Sequence, residues 1–325
     1  MAAVASVIAG TRPDILLLTG IDLDPGGATL AALQGALAAA GAPYPHTLAL
    51  PSNAGLPSGA DLDGDGRRGT ARDAQGYGRF RGDGAMALLS RHPVEAGAVR
   101  DFTDLLWRDL PGARLPEDAG GAPFPSAEAQ GVQRLSSAGH WAVPVRLPSG
   151  ARLTVLAYAA TAPVFDGPED RNGLRAADET RLWLRLLDGA LGPAPAPPFA
   201  VLGRASVDPV DGEGDHAAIR ALLSDPRLQD PRPESAGGRA ATDPAHRGDP
   251  ALDTAEWSAR DGGPGNLRVD YVLPSAELAV QGAGVHWPVG PAETARAASR
   301  GRLVWVDVAL PGGGGGQLDP AGGPG

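Results

Sequence analysis

Apolar residues in this chain arrive in short, dense runs, and the length of those runs limits the folds open to it. Asp14-Ile-Leu-Leu-Leu-Thr19, Ala85-Met-Ala-Leu-Leu-Ser90, Trp141–Leu147, Leu153–Tyr158 and Phe199–Leu202 are each too short for a helix and too apolar for a loop. A run of this kind suits a strand covered on both faces. Pro148-Ser-Gly150, between the third and fourth runs, predicts a hairpin. Further strands are expected around Val94–Val99 and at Leu267–Leu273, Leu278–Val285 and Leu303–Leu310. Helices are expected over residues 2–10, 27–40 and 168–189, and at His216–Leu223. Gly10 closes the first and Gly41 the second, while Leu182, Leu186 and Leu187 share one face of the third. Strands outnumber helices and several neighbours are hairpin-linked. The expected class is therefore α+β or α/β, with mixed sheets and helices packed outside them.

Composition explains what joins these elements. The chain has 47 Gly and 32 Pro, and two long connections stand out, a Gly/Asp/Arg-rich one over residues 51–83 and one rich in Pro, Asp and Gly over residues 225–265. The reading is one domain over residues 1–310, then a disordered Gly/Pro tail over 311–325. The chain lacks cysteine, which excludes disulfides and thiolate metal sites. Its formal net charge of -10 argues against a general nucleic-acid binder. No run approaches a membrane span, and the first ten residues have no basic segment ahead of their apolar stretch. As written, the chain reads as soluble and unexported, hence cytoplasmic. Lysine is absent and every side-chain cation apart from histidine is arginine, which a GC-rich coding bias accounts for.

Four segments together carry a resemblance: Arg12-Pro-Asp-Ile-Leu-Leu-Leu18; Leu202-Gly203 with Asp208-Pro-Val-Asp-Gly212; Leu267-Arg-Val-Asp-Tyr-Val-Leu-Pro274; and Ser299 leading into Arg302-Leu-Val-Trp-Val-Asp-Val308. In this order and spacing the chain resembles the endonuclease/exonuclease/phosphatase superfamily, with its deoxyribonuclease I-like fold. It is most similar to a bacterial branch marked by Ser58-Gly-Ala-Asp-Leu-Asp-Gly-Asp-Gly66, Leu106-Trp-Arg-Asp-Leu-Pro-Gly112 and Pro163-Val-Phe-Asp-Gly-Pro-Glu-Asp-Arg-Asn172. The resemblance covers roughly residues 5–310 and implies a four-layer sandwich of two mixed sheets flanked by helices. It also implies a first strand, carrying an Asn, that would lie ahead of Met1. Either a partner chain, a second copy included, supplies that strand, or the chain starts further upstream.

Members of this superfamily cleave phosphate esters with a divalent cation held by carboxylates, a group that orients water, and a histidine beside the phosphate. Position by position, this chain departs from that pattern. The metal-binding Glu after the second strand falls at Gly20. The Ser-His-Pro pattern reads Tyr158-Ala159-Ala160, and Gly-Asp-x-Asn reads Gly203-Arg204-Ala205-Ser206. The closing Ser-Asp-His reads Ser299-Arg300-Gly301. Two carboxylates have become guanidiniums, a change of about four charge units, and a guanidinium has no lone pair with which to act as a base. Asp270 matches the acid that would orient the lost histidine. Without that partner it is expected to bond nearby backbone.

The implied outcome is a pseudoenzyme with no cofactor at the old site, serving as a binding, structural or partner subunit. The competing reading is a phosphoesterase or nuclease whose chemistry has moved to Asp22, Asp24, Asp208 and Asp211. Arg204 and Arg300 are candidates for an anion, although pairing with Asp208, Asp270 or other acids is the favoured outcome. Asp61, Asp63 and Asp65 have the alternating spacing of a calcium loop, but Arg72 stands where an EF-hand needs an acid. An irregular Ca²⁺ loop and a solvated acidic loop both stay open. His140, beside Trp141, is expected to be a packed core residue rather than a catalyst.

Overall fold

The computed structural model describes residues 1–257, 262–289 and 297–310. The expected tail over 311–325 lies outside the described residues.

The short apolar runs form strands as their length predicts. The chain enters through helix α1 (Ala2–Thr11), strand β1 (Ile15–Ile21), helix α2 (Ala28–Ala39) and strands β2 (His46–Leu48) and β3 (Ala85–Ser90). Strand β4 (Arg100–Asp101) and helix α3 (Ala127–Val132) precede the hairpin of β5 (His140–Arg146) and β6 (Arg152–Ala159). Then come α4 (Arg171–Leu187), β7 (Phe199–Arg204), α5 (His216–Leu223), α6 (Ala236–Ala240), β8 (Ala255–Glu256) and β9 (Asn266–Leu267). Strands β10 (Asp270–Pro274), β11 (Ala279–Val285) and β12 (Val304–Ala309) complete the chain.

Alternation of side chains along each strand sorts the core into layers. One sheet runs β10-β7-β6-β5-β4, with β6 and β7 parallel and the other pairs antiparallel. The second sheet is in two pieces, β1-β3-β2 and β11-β12. Between the sheets, Leu17, Met86 and Leu88 meet Trp141, Val143 and Val155. Behind the second sheet, Leu16, Leu18, Ala87 and Leu89 pack on α1 and α2 through Ile8, Leu33 and Leu37. Behind the first, Leu156 and Tyr158 pack on Leu182, Trp183, Leu186, Ile219 and Leu222 of α4 and α5. Helices, sheet, sheet, helices: this is the expected four-layer sandwich. Among the described residues, no helix is long and apolar enough to cross a membrane.

Two strand expectations need correction. The stretch Val94–Val99 makes only one bridge, Val94 to Val145, before a 3₁₀ turn at Ala96–Ala98. Pro144 accepts from the Glu95 N–H but has no N–H to return, so the ladder stops. The run Leu267–Leu273 is broken between β9 and β10. There the Arg268 N–H leaves the ladder for the Asp208 carboxylate at 2.7 Å, and the Val269 N–H goes to Thr254 Oγ1 at 2.9 Å. Among the described residues, β1 pairs only with β3, and β12 only with β11. The second sheet therefore has a gap at its centre.

Candidate functional site

At one end of that gap, Thr19, Gly20, Arg204, Asp270, Ser299 and Gly301 line a single cavity. Gly20 sits at a register shift between Thr19 and Ile21 with φ of 75°, a left-handed conformation that glycine adopts without strain. It contributes no side chain to the cleft. Arg204 and Asp270 lie directly opposite each other on β7 and β10. The Asp270 carboxylate bonds side chains rather than the nearby backbone expected of it: Arg204 Nε donates to Asp270 Oδ1 at 2.9 Å, and Nη2 donates to Oδ2 at 3.1 Å. Thr254 Oγ1 donates to the same Oδ2 at 3.2 Å while accepting from the N–H groups of Val269 and Asp270. The Asp270 carboxylate holds the Arg204 guanidinium above its ordinary pKa. Both side chains are largely shielded, 30% exposed for Arg204 and 17% for Asp270. Gly301 lies against this pair, since a Cβ built there would be 2.5 Å from Arg204 Nη2.

The other positions singled out in the sequence, Ala159, Ser206 and Arg300, are not among the residues that line this cavity. Ala159 pairs with Arg204 across the parallel β6–β7 ladder and is nearly buried. Ser206 takes a left-handed φ of 59° and donates its hydroxyl to the Ala160 carbonyl at 3.0 Å. Arg300 is exposed, and its carbonyl accepts from the Glu256 N–H.

The sequence profile of the Endonuclease/Exonuclease/phosphatase family matches residues 1–306. This chain belongs to that family. Among curated proteins none matches the chain. Similar solved structures include the endonuclease/exonuclease/phosphatase from Beutenbergia cavernae, at 19% identity and a TM-score of 0.57, matching 95% of this chain but only 66% of that one. A family protein from Leptotrichia buccalis matches at 14% identity and 0.52, covering 95% of this chain and 92% of that one. One from Bacteroides thetaiotaomicron matches at 12% and 0.51, covering 94% and 87%. At such identities the likeness concerns the fold.

The remaining acids suggested by the sequence are engaged in holding this family fold together. Asp24 accepts from the N–H groups of Thr29 and Ala28 at the start of α2, and those bonds lower its carboxyl to about 2. Asp22 accepts from the Gly84 N–H at 3.1 Å. Asp208 bonds the backbone of Val210, Asp211 and Arg268, and Asp211 bonds that of Arg247 and Gly248. His140 is fully buried between Ser136 Oγ and the Glu179 carbonyl, and burial lowers its pKa to about 3, so it is neutral. It is the packed core residue expected of it.

Segments 58–66, 106–112 and 163–172, singled out in the sequence, converge on α4. Trp107 Nε1 donates to Asp178 at 2.8 Å, and Arg171 donates to the Leu62 carbonyl inside the acidic loop. That loop brings Asp61, Asp63 and Asp65 together, with one carboxylate oxygen of each within 4.8 Å of the others. Asp61 also accepts from the N–H groups of Gly64 and Gly66. Asp63 is pushed up by burial and by the Asp65, Asp73 and Asp61 carboxylates.

Sequence reasoning missed two deeply buried charges. Arg175, buried, donates to the carbonyls of Leu135, Gln75, Arg134 and Ser136. Glu179 accepts from the Ser137 N–H and hydroxyl and from the Thr161 N–H. Their only sequence signal was charge on the apolar side of a helix.

Proposed function

We propose that the inherited cleft no longer hydrolyses phosphate esters and that the chain uses the family fold as a binding module. The Arg204–Asp270 pair carries this reading. Metal-assisted hydrolysis needs carboxylates free to ligate a cation and a group able to orient water. Here both oxygens of Asp270 are already taken, by Arg204 and by Thr254. Gly20 offers no side-chain ligand and Ala159 no proton-transfer group. A cation entering the cleft would have to displace a guanidinium from its carboxylate, leaving that charge partly buried and unpaired.

The test is a metal panel on defined substrates: bis-p-nitrophenyl phosphate, p-nitrophenyl phosphate, and single- and double-stranded DNA, each with Mg²⁺, Mn²⁺ or Ca²⁺. The expected result is release no faster than the protein-free control. Metal-dependent cleavage that disappears in Asp270→Asn would overturn the reading, because loss in that variant excludes a contaminating nuclease.

A further inference from the structure

Among the described residues, seven large apolar side chains stand exposed, and five of them gather at one end of the sandwich. Ile15 at the start of β1, Leu153 in β6 and Leu310 cluster at the far end. The near end is therefore the one reached by Ile21 with Ala85, by Ala159 with Arg204, and by Val285 with Val304. It is the end of the Arg204–Asp270 cleft. Tyr77 and Phe80 precede β3 there, Phe165 follows β6, Val210 follows β7 and Val289 follows β11. Single exposed apolar residues are ordinary, but a ring of them about one cleft is not.

The three aromatic tips are also held outward by the backbone. Phe165 is 79% exposed yet takes a left-handed φ of 71°, a strained choice for so bulky a residue. Its neighbours on both sides are anchored to the start of α4: Asn172 Nδ2 donates to the Val164 carbonyl at 2.7 Å, and the Asn172 N–H donates to Asp166. Tyr77 and Phe80 are 62% and 50% exposed on a segment clamped through its glycines. Gly76 abuts Ser137, Gly78 abuts Gly55 and Gly82 abuts Leu23, each too closely to admit a Cβ. Ser137 in turn donates to the Ala159 carbonyl at 3.0 Å, which fixes that segment at the near end.

Charge and spacing select the occupant. The tips sit on four separate loops, so they offer a protein partner no continuous apolar core. Between them the rim carries both signs: Arg79 and Arg81 flank Phe80, while Asp170 and Glu213 stand exposed on the loops of Phe165 and Val210. Those carboxylates and a net charge of -10 disfavour a polyanion, whether nucleic acid or an anionic bilayer. A zwitterionic headgroup layer satisfies both signs, with phosphates for the guanidiniums and ammonium groups for the carboxylates. Aromatic rings suit the headgroup level, and a fluid surface accepts separate tips without shape complementarity.

The geometry points to this end of the sandwich as a docking surface for a zwitterionic lipid–water interface, with Tyr77, Phe80 and Phe165 inserted and the cleft facing the membrane. This docking rests on the binding-module reading and gives it a partner. Vesicle binding and the hydrolysis panel are separate readouts, so either can fail without the other.

The test floats the full chain with phosphatidylcholine vesicles. The native chain should bind with a partition constant of about 10³–10⁴ M⁻¹, and Phe80→Ala combined with Phe165→Ala should lower it at least about tenfold with Tm unchanged. Because the chain lacks cysteine, Tyr77→Cys and Ser149→Cys each accept one environment-sensitive dye, the second in the β5–β6 turn at the far end. Vesicles should blue-shift the dye at position 77 and leave the one at 149 unchanged. Replacing about a third of the lipid by phosphatidylglycerol should alter binding less than about twofold. No flotation with phosphatidylcholine, binding that needs phosphatidylglycerol, native-like binding by the paired variant, or equal shifts at both positions overturns the proposal.

Discussion

Replacing Asp270 by asparagine probes the cleft most economically, because it keeps the shape and removes the charge. Arg204 would keep one hydrogen bond to the amide oxygen, while the amide NH₂ would face either the guanidinium or Thr254, donor against donor. A charge-assisted hydrogen bond contributes about 1.5–3 kcal/mol, and stranding one member of a buried pair costs about 3–5 kcal/mol. Arg204 retains 30% exposure, so water offsets part of this. The expected cost is about 2 kcal/mol, a fall of roughly 4 °C in Tm for a domain of this size. The cycle is closed with Arg204→Met, which keeps the apolar stem, and the double variant, all followed by urea denaturation. If the two side chains act as one structural unit, the double variant loses less than the sum of the singles, with a coupling of about 1.5 kcal/mol. A coupling below about 0.5 kcal/mol would refute the reasoning. It would mean that Asp270 is held for something other than Arg204.

Other parts of the molecule give independent checks. The acidic loop should bind Ca²⁺ weakly, with Kd about 10⁻⁴–10⁻³ M by calorimetry, and Asp61→Asn with Asp63→Asn should abolish the signal; no heat from the native chain discards the loop as a site. Asp253 is pushed up to about 7 by burial and by the neighbouring Asp208 carboxylate. Its folded pKa exceeds the unfolded value near 4, so its neutral form favours the fold below about pH 4 and that contribution is lost as pH rises through 7. Asp253→Asn should therefore flatten the stability profile between about pH 4 and 7 and stabilise the chain at pH 8 by up to about 4 kcal/mol; unchanged slopes would contradict this. Glu179→Gln places an amide donor against the donors of Ser137 or Thr161 and leaves Arg175 uncompensated, so urea denaturation should show a loss of about 3–5 kcal/mol, and a loss under 1 kcal/mol would contradict it.

Much of the architecture was legible because it depends on local pattern. Ile15–Leu18 and Ala85–Leu89 alternate between the sheet–sheet core and the helix layer, so their burial follows from composition and period alone. The turn at Pro148–Gly150 and the start of α5 at His216 are likewise local. What was not legible depends on distant partners. The break between β9 and β10 is made by Asp208 and Thr254, which are far from Arg268 and Val269 in sequence but adjacent in space. The pairing of Arg204 with Asp270 depends on the β7–β10 register, across 66 positions, and spacing alone left an anion site open for that arginine. That Gly20, Ala159 and Arg204 stand where the resemblance expects catalytic groups is a reading of the sequence alone. That Arg204 and Asp270 engage each other through two hydrogen bonds required coordinates.

The central claim concerns whether a cation can lodge beside Arg204, and counting bound Mn²⁺ by electron paramagnetic resonance addresses it most directly. The measurement uses a variant with Asp61, Asp63 and Asp65 all changed to Asn, so that the loop cannot contribute. The account predicts no bound Mn²⁺ up to millimolar concentration. One retained ion that is lost on Asp270→Asn would contradict it.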